Sequence, residues 1–166
     1  MKYILLVCIL IFCTITDIKE RKIYNPVLLL ALIMAFLLNA YEAGLYGAIE
    51  TLKGLAVGTA IFFIPYLLGW LGAGDAKLTG IIGAFGGWHF ALYAVSCTAV
   101  AGGLISIYIL IRDKRAGPLL SSLKMLFFTR SSYYLRDYDG QYTFPYAIAI
   151  SLGTGLALGL RVMGYV

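Results

Sequence analysis

Thr16-Asp17-Ile18-Lys19-Glu20-Arg21-Lys22 is the stretch on which the fold turns, because an apolar run lies on either side of it, 3–16 before and 26–41 after. Residues 3–16 could be a signal peptide, but no small-residue cleavage site follows them. The run is therefore read as a short first membrane span, and the charged heptapeptide as the loop that leaves it. Working outward, further apolar stretches occupy 48–70, 78–87, 90–111 and 144–163. Stretches of this kind approach the ~20 residues needed to cross a hydrocarbon core of ~30 Å.

Composition gives the same class. The chain has 166 residues, of which 61% are hydrophobic and 13% charged, with a mean hydropathy of +0.90. A water-facing surface cannot be covered from such a pool. The expectation is an all-α polytopic membrane protein of about six transmembrane helices, forming one domain over 1–166 with no separate soluble part. The fourth run, 78–87, is about half a normal span, so it must start deep, tilt, or border a thinned or wet region.

The formal charge of +5 does not require nucleic acid, because the basic residues cluster between the apolar runs. If 17–25 is cytoplasmic, that side receives Lys19, Arg21, Lys22, Lys77, Arg112, Lys114, Arg115, Lys124, Arg130 and Arg136. The other side receives Lys2, Lys53 and Arg161, and this bias places the amino terminus outside. Cys8, Cys13 and Cys97 lie in apolar runs without a CxxC pair, so they read as small apolar core residues. Neither a metal site nor a disulfide framework is indicated.

Asp17 and Asp75 are the carboxylates at span edges that an apolar chain has little reason to carry. Two crossings separate them, which returns the chain to the face it left. Both acids are then expected at one face although they are 58 residues apart. Close helix packing is available from Gly54 and Gly58, Gly83 and Gly87, and Gly155 and Gly159, each pair at small-xxx-small spacing. Gly72 and Gly74, in Gly72-Ala73-Gly74-Asp75, leave space beside the second carboxylate, although glycines ahead of a helix-capping aspartate would look the same.

The segments Asp17-Ile18-Lys19-Glu20-Arg21-Lys22-Ile23-Tyr24-Asn25-Pro26 and Gly72-Ala73-Gly74-Asp75-Ala76-Lys77-Leu78 together resemble the type IV prepilin peptidase family. Asp17, Ile23 and Asn25 match its first motif, with Tyr24 where the family has proline, and Gly72 to Leu78 match its GxGD motif. Phe144-Pro145-Tyr146-Ala147 is similar to the run that opens the family's last helix. The larger bacterial members carry an N-terminal cytoplasmic segment, often with a four-cysteine zinc site, that is associated with N-methylation. No such segment is seen here, so the chain resembles a minimal, peptidase-only member like those serving Flp or Tad pili or archaeal preflagellins, and methyltransferase activity is not expected.

The resemblance implies an aspartic endopeptidase of the inner or plasma membrane, active on the cytoplasmic side, that cleaves the basic leader from prepilin-like substrates. It implies Asp17 and Asp75 as catalytic residues and calls for no cofactor. Two carboxylates close together do not both ionise easily, so one would hold a proton while the other acts as base on water. Which one starts in which form is left open, and the sequence does not name the pilin or the oligomeric state. The bilayer is the other expected partner, and nucleic acid is not.

Other polar residues have two readings each. Lys77 could lower the Asp75 pKa or orient a substrate carbonyl, and a lysine snorkelling to the interface fits the same position. Asn25 could hydrogen-bond near Asp17 or merely serve the Asn-Pro turn. His89 belongs to an interfacial aromatic belt on the outer side. The stretch 112–142, between spans five and six, contains an apolar 118–128 that reads as an amphipathic helix on the cytoplasmic membrane surface, with Asp137 and Asp139 in a solvated turn. The alternative function is a small proton- or cation-coupled transporter using the same two aspartates, although they lie near one face and no inverted repeat is visible. A non-catalytic assembly factor would leave both polar motifs without a role.

Overall fold

The computed structural model describes residues 2–68, 71–112 and 146–164, all helix apart from short joints. The elements are α1 (Lys2–Glu20), α2 (Asn25–Leu67), α3 (Ala73–Gly86), α4 (Trp88–Arg112) and α5 (Tyr146–Val162). No strand occurs among the described residues, so the all-α expectation holds. The chain divides into two compact units, 1–102 with 145–166, and 103–144. Of the second unit, only the helical stretch 103–112 is described. The expected surface helix 118–128, with Asp137 and Asp139, lies outside the described residues.

The joints follow from local chemistry. Arg21 closes α1 in the left-handed region at φ 52°, and its N–H bonds back to Asp17 O at 2.9 Å, a helix stop usually given to glycine. Tyr24 is extended ahead of α2, and Pro26 falls in the first turn, where its missing N–H costs nothing. Ala43 and Gly44 leave helical geometry, Gly44 at φ 59°. Beyond them the chain reverses, and Asn39 Nδ2 donates to Thr51 Oγ1 at 2.9 Å. Helix α2 is therefore two antiparallel arms, 25–42 and 45–67, in agreement with separate apolar runs at 26–41 and 48–70.

Helix α3 is longer than its apolar run. Gly72 N donates to Asp75 Oδ2 at 3.2 Å, and Asp75 N donates to Gly72 O at 3.1 Å. This reciprocal pair lets the helix begin at Ala73, so Asp75 stands in its first turn rather than in a preceding loop. At 14 residues the helix is ~21 Å long, still short of a bilayer core. Its neighbours cover it, and Leu78 through Phe85 are all buried.

Glycine makes that cover close. A Cβ on Gly54 would stand 1.9 Å from Gly83 O, and one on Gly58 would stand 2.4 Å from Thr79 O. Thr79 Oγ1 in turn donates to Gly58 O at 3.1 Å. The second arm of α2 therefore meets α3 backbone to backbone, as the glycine spacing predicts. Gly155 and Gly159 differ, since nothing lies within 4 Å of an added Cβ among the described residues. In α5 the contact residue is Gly153, where a Cβ would stand 2.4 Å from the Thr98 backbone.

The helix directions sort the polar residues to two ends. At one end Lys2 pairs with Glu42 at 2.6 Å and donates to Asn39 at 2.9 Å, and Arg161 donates to Gly86 O at 3.4 Å. His89, stacked on Trp88 with ring centroids 3.5 Å apart, opens α4 at this same end. Asp17, Asn25, Asp75 and Tyr146 stand at the opposite end. Between them the outward face is apolar, with Leu29, Leu37, Ile64 and Leu156 all more than half exposed. Two helices, Asn25–Leu67 and Trp88–Tyr108, are long and apolar enough to cross a membrane, and Tyr146–Val162 is a shorter apolar helix. Cys13 is buried as expected, whereas Cys8 is exposed on α1, facing outward rather than filling the core.

The glycine contact gives a direct test. Gly54→Val forces α2 and α3 apart and should lower stability by about 1–3 kcal/mol, read as a drop in the thermal aggregation temperature in detergent. Gly159→Ala, in open space, should leave that temperature unchanged.

Candidate active site

Asp17 lies in the last turn of α1 and Asp75 in the first turn of α3, both half-buried and both beyond the apolar stretches 3–16 and 78–87. Positions 75, 78, 82 and 85 share one face of α3 by helical register. Leu78, Ile82 and Phe85 on that face are 1% exposed or less, so Asp75 tops a fully packed stripe. Asp17 comes to it from α1, near enough for its charge to act on Asp75.

The surroundings treat the two carboxyls differently. Burial raises Asp17 above the ordinary carboxylate range, opposed by the Ala147 N–H and by the charge of Arg21. Ala147 N, at the amino end of α5, donates to Asp17 Oδ2 at 3.3 Å. Asp75 is pushed up to about 6, by burial first and by the Asp17 carboxylate second, against the Gly72 N–H. One carboxyl thus keeps its proton toward neutrality, beside another that accepts a backbone N–H from a different helix.

Gly72 and Gly74 serve different contacts. A Cβ on Gly72 would stand 3.3 Å from Asp75 Oδ2, and one on Gly74 would stand 3.1 Å from Ile23 Cβ. Gly74 therefore lets the Ile23 side chain, in the loop after α1, lie against the start of α3, which brings the two aspartate segments together. Lys77 and Asn25 bond to each other, Lys77 Nζ to Asn25 Oδ1 at 2.8 Å, and not to the aspartates. Two residues along a helix is a turn of ~200°, so Lys77 leaves the face that carries Asp75. On that other face the Lys77–Asn25 pair heads an apolar groove of about 510 Å³ between both arms of α2 and α3, lined by Leu28, Leu32, Leu55 and Ile81.

Two neighbours of the carboxylates come from α5. Ala147 supplies the N–H, and Tyr146 packs its ring on Phe62 at 6.1 Å between centroids, within range of the Asp75 charge. The Pro-aromatic-small run that opens the last helix carried this signal in the sequence, without indicating a backbone donor. His89 lies a helix length away, at the far end of α3. Among the described residues no group of three or more His, Cys, Asp or Glu could hold a metal ion.

Two variants test the electrostatics. Asp17→Asn removes the charge that lifts Asp75, so the Asp75 pKa should move down from about 6 in a 13C-carboxyl titration. An unchanged value would mean that the two carboxyls do not interact. Because the folded chain holds the Asp75 proton more tightly than the unfolded chain does, this group's contribution to stability is lost as pH rises from 3.8 through about 6. Asp75→Asn has no such group and should unfold at higher temperature near neutral pH, with a gain of about 1–2 kcal/mol after allowance for solvent screening. The gain should vanish at a pH below the unfolded-state value.

Comparison with known proteins gives the family of the chain. The sequence pattern of the type IV leader peptidase family matches residues 4–107, a stretch that includes both aspartate segments. A prepilin leader peptidase/N-methyltransferase of Myxococcus xanthus strain DK1622 is 33% identical over 86 residues, 48% of this chain and 26% of that protein. The chain thus spans about a quarter of the length of the curated relative it matches. No solved structure matches it. With more than half of its length inside the family pattern, the chain belongs to the type IV leader peptidase family.

Proposed function

We propose that the protein is an aspartic endopeptidase of the membrane that removes the leader from prepilin-like substrates. The observation that carries this reading is that carboxylates from two different helices, Asp17 and Asp75, come to one end of the helices, with Asp75 in range of the Asp17 charge. Family membership supports leader cleavage, and the Myxococcus relative is a prepilin leader peptidase/N-methyltransferase, which supports prepilin-like substrates. Hydrolysis needs one carboxylate to take a proton from water and one acid to give a proton to the scissile carbonyl, and the two unlike environments supply such a pair. Neither the geometry nor the relatives support a transporter.

The whole chain, 1–166, works in this reading as one membrane domain of six spans: α1, the two arms of α2, α3, α4 and α5. Lys19, Arg21, Lys22 and Lys77 lie in the segments around the two aspartates, and this basic cluster supports a cytoplasmic position for that end. A substrate whose apolar helix lies in the bilayer would then keep its basic leader in water beside the carboxylates. The scissile bond must leave its helix to be cut, and a site at the end of a short, protein-covered α3 permits that without stranding bare backbone in lipid.

The test is cleavage of a prepilin with a basic leader by the purified protein in detergent, with products identified by mass spectrometry. Asp17→Asn and Asp75→Asn should each lower the rate by at least about a hundredfold. Near-normal turnover by either variant would sink the two-carboxylate mechanism.

A further inference from the structure

We propose that the amino end of α5 divides the work between the two carboxylates: the Ala147 N–H holds Asp17 as the base, and Asp75 carries the proton as the acid. This rests on the peptidase reading above and adds an assignment to it.

The argument begins with an unsatisfied donor. The first N–H groups of a helix have no partner within it, and Ala147 is the second residue of α5 with its side chain fully buried. A buried amide needs an acceptor, and it finds Asp17 Oδ2 at 3.3 Å, 130 residues away in sequence. This helix end is held in place from both sides. Thr14 and Ser151 hydroxyls meet at 2.6 Å one turn further along α1 and α5, and Gly153 sits against the Thr98 backbone. The donor is therefore positioned before any substrate arrives, and it favours the ionised carboxylate.

Among the described residues, Asp75 accepts from Gly72, three residues earlier in its own helix cap, rather than from another helix, and Lys77 is engaged with Asn25. Among the described residues, the titratable and charged groups facing the pair are Arg21 and Cys13 from α1, which interact with Asp17, and Tyr146 from α5, which interacts with Asp75. Arg21 adds to the bias on Asp17, and the Asp17 charge itself pushes the proton toward Asp75.

The reaction balances on this assignment. Asp17 takes one proton from water as the water oxygen bonds to the carbonyl carbon, and the Asp75 proton passes to the carbonyl oxygen. The gem-diol then collapses: the C–N bond breaks as the amine takes the proton held by Asp17, and a diol proton returns to Asp75. Both carboxyls regain their starting states, and no other reactant is needed.

Ala147→Pro removes the N–H at a helix position that tolerates proline, and Ala147→Gly retains it. In the cleavage assay, the acid limb of kcat/KM should move up by about half a pH unit or more in Ala147→Pro, with the alkaline limb in place, while Ala147→Gly keeps the wild-type profile. An unmoved acid limb, or the same shift in both variants, would overturn the assignment. A second measurement uses the wild-type protein and so does not depend on the variant folding. Carbodiimide attacks protonated carboxyls, so labelling mapped by mass spectrometry across pH should fade at Asp17 at a lower pH than at Asp75. The reverse order would refute the inference even while Asp17→Asn and Asp75→Asn abolish cleavage; if those two variants cleave normally, the peptidase reading itself fails.

Discussion

The structure depends on a helix that is too short to stand alone in a bilayer. Helix α3 can be short because other helices surround it, and its contact with the second arm of α2 is made by backbone through Gly54, Gly58 and Gly83. Lipid supplies no hydrophobic drive for helix pairing, so such contact relies on van der Waals packing over a surface without side chains. Once α3 is seated this way, its three faces have fixed tasks. Gly80 and Gly83 meet the second arm of α2, Lys77 and Ile81 border the groove with both arms, and Asp75 heads the buried stripe. A sliding of α3 along α2 would move the carboxylate with it.

That seating explains how an acid can be held where it is costly. A carboxyl pushed up to about 6 is less stable as an anion in the folded chain than in water, and a second carboxylate nearby adds to the penalty. The packed stripe of Leu78, Ile82 and Phe85 beneath it fixes the position, and the Gly72 N–H offsets part of the penalty. On the other side, the buried amide of Ala147 needs an acceptor, and Asp17 provides one. Each carboxyl thus accepts one backbone N–H, and Asp75 is held higher by its burial and by the Asp17 charge.

The apolar runs made the helices legible in the sequence, and counting crossings brought Asp17 and Asp75 to one end, where the helices do run. The reversal at Ala43 and Gly44 could be expected from two runs with a polar gap, although the helix is nearly continuous through it. What sequence could not give was rotation about a helix axis. Closeness in sequence made Lys77, two residues after Asp75, a candidate to act on it; in the first turn of a helix the two residues point to different faces, and Lys77 meets Asn25 instead. Glycine spacing has the same weakness, since Gly155 and Gly159 fit the packing pattern as well as Gly54 and Gly58 do and yet meet nothing within 4 Å among the described residues.

Backbone donors are the least visible part of such a site. Alanine at 147 carries no side-chain chemistry, so its sequence identity says only that the residue is small enough to be buried against α1. The atom that bonds Asp17 is one that every residue except proline possesses, and it is free to do so at the second position of the helix, where it has no internal partner. A site built this way tolerates substitution at 147 as long as size and the N–H are kept. Its sequence signature is therefore the run Phe144-Pro145-Tyr146-Ala147, rather than a charged residue near Asp17.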